Sequence, residues 1–466
     1  MAREIQDASA LAKALYRTAS LLLEPQKSEV LNKALNVTMK IEGGSDRANV
    51  LAQIAPLLSD PQKGLEVARE IPPRTYRAIT LSEIAAKLLE PQKTIVLEEA
   101  IFAARKIWDS EDRSWALSQI VPLLSDPHDG FEATRYIPNK WVRFKATTQI
   151  TPKLPEPEKT EELRNLLNSA RQIRNNGVRA KALSQIAPLL HVPWKDWVLK
   201  ESLGAAREIH DVVNRANVLA QIAPLLSMSQ KTLVLNEALK IARDISDEHA
   251  CANVLVQVAQ LLSEPQKSKV LNEALKIARD ISDEHARANV LVQVAQLLSE
   301  PQKSKVLNEA LKIARDISDE QSREKVLSQI ASLLPDPIQA LEIAREIWNK
   351  GIRSKALSQI ASSLSESQKT EVLSEALEVA RELQGEELRK EVLSEIVTLL
   401  TMQDSSIDAS IYRSLWVPTL RQISYRARKS LLSDLSSLIP LVLKLGGYSA
   451  MMETANAMQD VGKWWP

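Results

Sequence analysis

Hydrophobic positions recur along this chain with a helical step. In Arg287-Ala-Asn-Val-Leu291-Val-Gln-Val294-Ala295-Gln-Leu-Leu298 the apolar side chains fall at i, i+3, i+4 and i+7, one stripe of a 3.6-residue helix. Ser-Glu-Pro301 ends that helix. Val306-Leu307-Asn-Glu-Ala310-Leu311-Lys-Ile313-Ala314-Arg-Asp-Ile317 then repeats the stripe, with small Ala where two helices must come close. Polar Ser318-Asp319-Glu320 separates this second helix from the next first helix. The pattern predicts a pair of helices, here called A and B, and then the same pair again.

Residues 249–284 and 285–320 are copies of one 36-residue unit that differ only at Cys251 and Arg287. With Leu255 and Leu291 as the reference position, the same place is held by Leu15, Leu51, Leu81, Leu117, Thr147, Leu183, Leu219, Leu327, Leu357 and Leu393, which makes twelve units. Their spacing is 36 residues, except for 30 between Leu51 and Leu81, Leu117 and Thr147, and Leu327 and Leu357. Asp60-Pro61, Asp126-Pro127 and Asp336-Pro337 mark the three short units. Six residues turn a helix by about 240° beyond a full turn, so a loss from mid-helix would rotate the stripe into water. The loss is expected in the loop and first turns, leaving only the last two turns of helix B, Leu65 to Ile71 in the first case.

So short a pair cannot bury its stripe alone, and neighbours must stack into a continuous core. The predicted fold is all-α: a right-handed α-solenoid of about twelve helix-pair repeats over residues 1–401, with a helical C-terminal capping segment at 402–466. At roughly 9 to 10 Å between helices, it would form a rod or superhelix on the order of 110 Å along its curve, without long-range closure. Pro56, Pro122, Pro152, Pro188 and Pro224 stand five residues after the reference position, where a missing donor should kink helix A. Ala2-Arg-Glu-Ile5 matches Ala68-Arg-Glu-Ile71, so the chain is expected to start inside the last turn of a B helix, with nothing capping that end. Ser405 to Tyr425, Arg426 to Leu445 and Tyr448 to Trp465 read as longer amphipathic helices. Arg428 and Leu432 look like a degenerate thirteenth unit, and Trp464 and Trp465 are expected to cover the end of the core.

Composition agrees with helix. Gly is scarce (11 residues), aromatics are 4%, and good helix formers dominate. Sixty basic against 59 acidic side chains give a net charge of +1, which favours neither a polyanion nor an anionic membrane. A single cysteine makes no internal disulfide, the N-terminus has no apolar signal-peptide core, and no run of about 18 apolar residues could span a bilayer. These features predict a cytoplasmic protein. The five histidines are isolated and no catalytic constellation is present, so no enzyme activity, metal or cofactor is expected. Cys251 takes a place that is Arg in ten other units, which reads as drift rather than a reactive thiol.

Three ladders remain. Arginines stand four residues before the reference position, from Arg47 to Arg389. A second set, among them Arg69, Arg207, Arg243, Arg279 and Arg315, lies in the last turn of helix B, where a cation complements the helix end. Both are expected to satisfy helix ends and bridge units, with adjacent Glu70, Glu208, Asp244, Asp280, Asp316, Glu346 and Glu382 as partners for the second. The third ladder is glutamine, two residues after the reference position: Gln53, Gln119, Gln149, Gln185, Gln221, Gln257, Gln293, Gln329 and Gln359. It lies about 200° from the core leucine, so burial cannot explain it. One turn earlier stand Asn49, Asn217, Asn253 and Asn289, or Lys13, Lys145, Lys181, Lys325 and Lys355.

The Ala-Leu-x-x-Ala-Arg-Glu/Asp-Ile helices resemble tetratricopeptide-like repeats. The Arg-x-x-x-Leu-x-Gln-Ile-Ala units and the ending Leu445-Gly-Gly…Gly462-Lys-Trp-Trp-Pro466 resemble the C-terminal repeat arrays of bacterial STAND signalling NTPases. That resemblance implies a sensor array; the chain carries no Gly-x4-Gly-Lys-Ser/Thr, so the NTPase module is not part of it. Asn-x-x-x-Gln also resembles the base-reading pair of Pumilio-type RNA-binding repeats. The sequence thus predicts a scaffold or sensor array, alone or within a larger signalling protein, that recognises a protein or peptide along the concave face of its A helices. The strip centres on Asn217, Gln221, Asn253, Gln257, Asn289, Gln293, Lys325 and Gln329, and single-stranded RNA is the alternative ligand.

Overall fold

The computed structural model describes residues 2–72, 75–401, 419, 421, 426 and 428–464. Among them every regular element is helical, and A and B helices alternate from Ala2–Ser20 and Gln26–Thr38 to Glu366–Arg381 and Glu386–Thr401. The fold is an α-solenoid. It divides into two compact units, one made of Met1–Ile150 with Ser365–Pro466 and the other of Thr151–Leu364.

The start of helix A is written eight residues before the reference position. In eight repeats Asp or Asn stands there, and its side chain accepts first-turn N–H groups that no helical carbonyl can reach. Asp283 accepts from Ala286 at 2.6 Å, Asn175 from Val178 at 2.9 Å and Asp109 from Asp112 at 2.8 Å. The stop depends on proline. Where proline lies five residues after the reference position, the α-helix ends at Ile54, Ile120, Ile150, Ile186 or Ile222, and a three-residue 3₁₀ turn holds the ring. Without it the helix runs on, as in Glu284–Leu297 and Glu320–Leu333. The expected kink is therefore a stop: the missing N–H frees a carbonyl one turn back, and so near its end the chain tightens instead of bending and resuming.

The short repeats begin helix B at the proline itself. Asp60, Asp126 and Asp336 cap Pro61–Glu70, Pro127–Thr134 and Pro337–Glu346, accepting from Gln62, His128 and Ile338 at 2.8–3.0 Å. These helices have 10, 8 and 10 residues against 15 in Gln266–Asp280, so more survives than the two turns expected. The shortened helix also sits close to its partner. A Cβ on Gly64 would lie 2.8 Å from the Ala55 carbonyl oxygen, so only glycine allows that approach.

Burial differs between the two helices of a pair. In Glu284–Leu297, Ala288, Val290, Leu291, Val292, Val294 and Ala295 are all at most 1% exposed, so both flanks of helix A are covered as well as its core face. Helix B buries one face, with Val306, Leu307, Ala310, Leu311 and Ala314. What helix A leaves open is a narrow strip opposite its leucine.

The two ends of the chain meet in the first unit. Ala2–Ser20 is one continuous helix, not the tail of a B helix followed by a new start. Leu432, Ile439, Val442, Met451 and Ala455 share a hydrophobic cluster with Leu11, Leu15, Leu31 and Ile54. Lys33 Nζ donates to Asn456 Oδ1 at 2.8 Å. The expectation of an uncapped N-terminal end without long-range closure is thus corrected, because the last helices cover the first pair. Gly447, at φ 64°, breaks Arg428–Trp464 into two helices. Leu438, Ile439, Leu441 and Val442 are buried in the pattern of Leu291, Val292, Val294 and Ala295. The register of the thirteenth unit is therefore six residues later than Leu432 suggested, and Asp434 takes the arginine position. Apart from Thr419 and Arg421, the helix expected from Ser405 to Tyr425 lies outside the described residues, as do Trp465 and the side chain of Trp464.

Met451→Ala should lower stability by about 2–5 kcal/mol through the cavity it leaves. Hydrogen exchange should then quicken around both Leu11–Leu31 and Leu432–Ala455. Acceleration confined to the C-terminal helices would show that the ends do not support each other.

Candidate functional site

All nine ladder glutamines are exposed, while Leu183, Leu219, Leu255 and Leu291, two residues before four of them, are fully buried. In the unit Thr151–Leu364, Gln221, Gln257, Gln293 and Gln329 are exposed, as is Lys325. Asn217, Asn253 and Asn289, one turn earlier, are half-buried because Val218, Val254 and Val290 beside them enter the core. The row extends one turn further. Asn253 Nδ2 lies 3.0 Å from His249 Nε2, and Asn289 Nδ2 lies 2.9 Å from His285 Nε2, so each imidazole holds its asparagine in place. The Oδ1 atoms of Asn217 and Asn253 are screened from solvent and have no hydrogen-bond partner. Gln221, Gln257, Gln293, Gln329 and Lys325 thus stand exposed on the outer side of an A helix, while Asn217, Asn253 and Asn289 are half-buried beside them, the last two held by histidine.

The arginine ladders are part of the frame. In the first, Nη1 of Arg113, Arg215 and Arg389 donates to the carbonyls of Ile107, Ile209 and Leu383 at 2.7, 3.1 and 2.9 Å, closing the end of the preceding B helix. The Nε of Arg215, Arg287 and Arg353 is buried without a partner. In six repeats the second ladder ties a B helix to the next one. Arg207 meets Glu237 at 2.7 Å, Arg243 meets Glu273 at 2.6 Å, and Arg279 meets Glu309 at 2.7 Å. For these arginines the adjacent acid expected as partner gives way to a glutamate thirty residues on, because the next B helix presents its carboxylate to the fork of the guanidinium. Glu208 and Glu346, among the expected acids, pair instead with Arg179 at 2.8 Å and Arg315 at 2.7 Å. Where helix B is short and offers no such glutamate, Arg105 lies over the Tyr136 ring at 3.9 Å.

In the first unit the arginine ladder ends on a buried triad. Asp434 is fully buried and takes Arg389 Nε at 2.8 Å and Arg426 Nη1 at 2.9 Å. Burial pushes its carboxyl up, against the pull of both arginines. Sequence reasoning missed Asp434; the one available signal was an arginine position filled by an acid once the register is shifted. Cys251 is buried, and desolvation pushes its thiol up, away from the thiolate a nucleophile needs. Among the described residues no three His, Cys, Asp or Glu converge as metal ligands, and no helix is long and apolar enough to cross a membrane.

No protein-family model matches the chain, and no curated protein does. Among solved structures it is similar to Ton1535 from Thermococcus onnurineus NA1, with 16% identity and a TM-score of 0.24 over 78% of this chain and 98% of that one. It is also similar to a circular tandem repeat protein with novel repeat topology and enhanced subunit contact surfaces, at 12% identity and TM-score 0.18 over 98% and 94% of the two chains. A third likeness is to a computationally designed self-assembling cyclic homooligomer, at 11% identity and TM-score 0.09 over 80% and 98%.

The two kinds of arginine should separate on mutation. Arg279→Ala, half-exposed, should cost at most about 1 kcal/mol, and Arg389→Ala about 3–5 kcal/mol because it takes from buried Asp434 one of its two cations and leaves Arg426 alone against it. Arg243 and Arg279 hold the Glu273 and Glu309 carboxyls below the ordinary glutamate value of 4.5. A depressed carboxyl contributes stability that is present above the unfolded pKa and is lost as pH falls through the folded one. Denaturant melts should therefore show stability falling below about pH 4.5, with a smaller fall in Arg279→Ala. An equal fall in both proteins would remove this ion pair from the account.

Proposed function

We propose that the protein is a non-catalytic recognition array that holds an extended segment of a protein or peptide along its A-helix strip. The centre is Asn217, Gln221, Asn253, Gln257, Asn289, Gln293, Lys325 and Gln329. The observation that carries this reading is the exposure of a glutamine at one repeat position on nine A helices, opposite a buried core residue. A primary amide offers one acceptor and two donors and so pairs with either edge of a peptide bond. Helices about 9–10 Å apart and an extended chain rising about 3.3 Å per residue bring one amide pair to roughly every third residue of a bound segment. The unsatisfied Oδ1 of Asn217 suits a peptide N–H once the side chain turns outward, and that of Asn253 does so once it releases His249. The resemblance to STAND repeat arrays supports a sensor role in the cytoplasm, alone or in a larger signalling protein.

Single-stranded RNA is the other reading of the same strip. A Pumilio-type reader needs a stacking side chain beside the asparagine, and Val218, Val254 and Val290 are at most 1% exposed. A net charge of +1 also supplies little attraction for a phosphate backbone.

Peptide-array or pull-down ligands should lose affinity in the variant with Asn253, Gln257, Asn289 and Gln293 all changed to Ala, by about 1 kcal/mol for each net hydrogen bond removed. The circular dichroism melt should stay near that of the parent protein. Unchanged affinity in a folded variant would move the site elsewhere, and a steep linear fall of log affinity with log salt would favour RNA.

A further inference from the structure

The glutamine ladder is broken in the first repeat, where its two strip positions are Lys13 and Arg17. Both side chains are half-buried and stand one turn apart on Ala2–Ser20. They line a cleft of about 400 Å³ in the first unit, walled also by Ser9, Ser433 and Ser436 of the helices that meet there. Among the described residues neither cation has a carboxylate within ion-pair distance; Arg17 spends one donor on Ser436 Oγ, at 3.1 Å. Of the other charges around the cleft, exposed Asp46 has no hydrogen bond or ion pair among the described residues, and the rest are engaged. Glu387 pairs with Lys390 at 3.6 Å, and Glu386 accepts from Ser430 at 3.4 Å.

We propose that this cleft binds a small phosphomonoester, its phosphate held by Lys13, Arg17 and the hydroxyls of Ser9 and Ser433, while Ser436, which donates to the Ser433 carbonyl at 2.7 Å, positions Arg17. A guanidinium, an ammonium and hydroxyl donors converging from different helices suit the three terminal oxygens of a dianion, each charge-assisted. The volume suits a small molecule. Asp46, Glu386 and Glu387 on the same cleft repel additional negative charge, which selects one phosphate over a polyphosphate or a nucleic-acid backbone. The site is separate from the peptide strip of Asn217 to Gln329, and it spans the helices at the two ends of the chain. Binding there fastens those ends together.

Calorimetric titration of the full chain with inorganic phosphate and with phosphoethanolamine tests this, alongside melts in phosphate-free buffer. Both probes should bind and raise the melting temperature, and Lys13→Gln and Arg17→Gln should each weaken binding by about tenfold or more. Lys13 makes no hydrogen bond or ion pair among the described residues, so Lys13→Gln keeps the test sound even if Arg17→Gln unfolds. No binding of either probe at millimolar concentration, or full affinity in Lys13→Gln, would overturn the site. Acetate or citrate binding as tightly as phosphate would overturn the phosphate assignment, and the quadruple strip variant should bind phosphate normally.

Discussion

Two helices of a dozen or so residues, packed only on each other, leave the flanks of helix A in water. Val290 and Val292 show the difficulty: they point to opposite sides of Leu291, and no single partner helix reaches both. Each is buried because the A helices of neighbouring repeats lie on either side. The hydrophobic term thus acts between repeats as much as within them, and alanines such as Ala310 and Ala314 let the B helices close in behind. A repeat at either end lacks one neighbour. Here the last helices supply it to the first, with Met451 and Ala455 against Leu15 and Leu31.

Charge and amide chemistry are kept on different faces. The arginine forks are spent on carbonyls and on glutamates of the next repeat, where they set the spacing of the B helices. Their energies are modest at the surface and large only where water is absent, as at Asp434. The amides of helix A have no such duty. The exposed glutamines are free to meet something else, and the same two positions carry the cations Lys13 and Arg17 in the first repeat.

The repeat register was legible because reference leucine, capping aspartate and proline each act locally: the residue at a position decides what the backbone does there. Leu291, Asp283 and Pro56 illustrate the three cases. The outward glutamines were legible for the same reason, since helix geometry alone puts them opposite the leucine. Partners across space were not. Arg243 has Asp244 beside it in sequence yet pairs with Glu273, because parallel helices one repeat apart set the distance. The meeting of the chain ends was hidden for a deeper reason: a repeat pattern describes neighbours, and the contact of Leu432 and Met451 with Leu15 involves residues more than four hundred positions apart. Asp434 was hidden by the same break in register.

The bond from Arg243 to Glu273 and the bond from Arg279 to Glu309 are one interaction moved by a single repeat. A gene that copies residues 249–284 in frame therefore inserts a segment whose every junction already exists in the parent. Its caps, its ion pair and its buried flanks find their usual partners on both sides. Unequal recombination can lengthen such an array without inventing a contact, and the near-identity of residues 249–284 and 285–320 is what a recent event of that kind leaves behind. The junction of last helices with first has no such copy: Met451, Ala455 and Asn456 meet the first pair once, and variation in repeat number has to pass through that unrepeated chemistry.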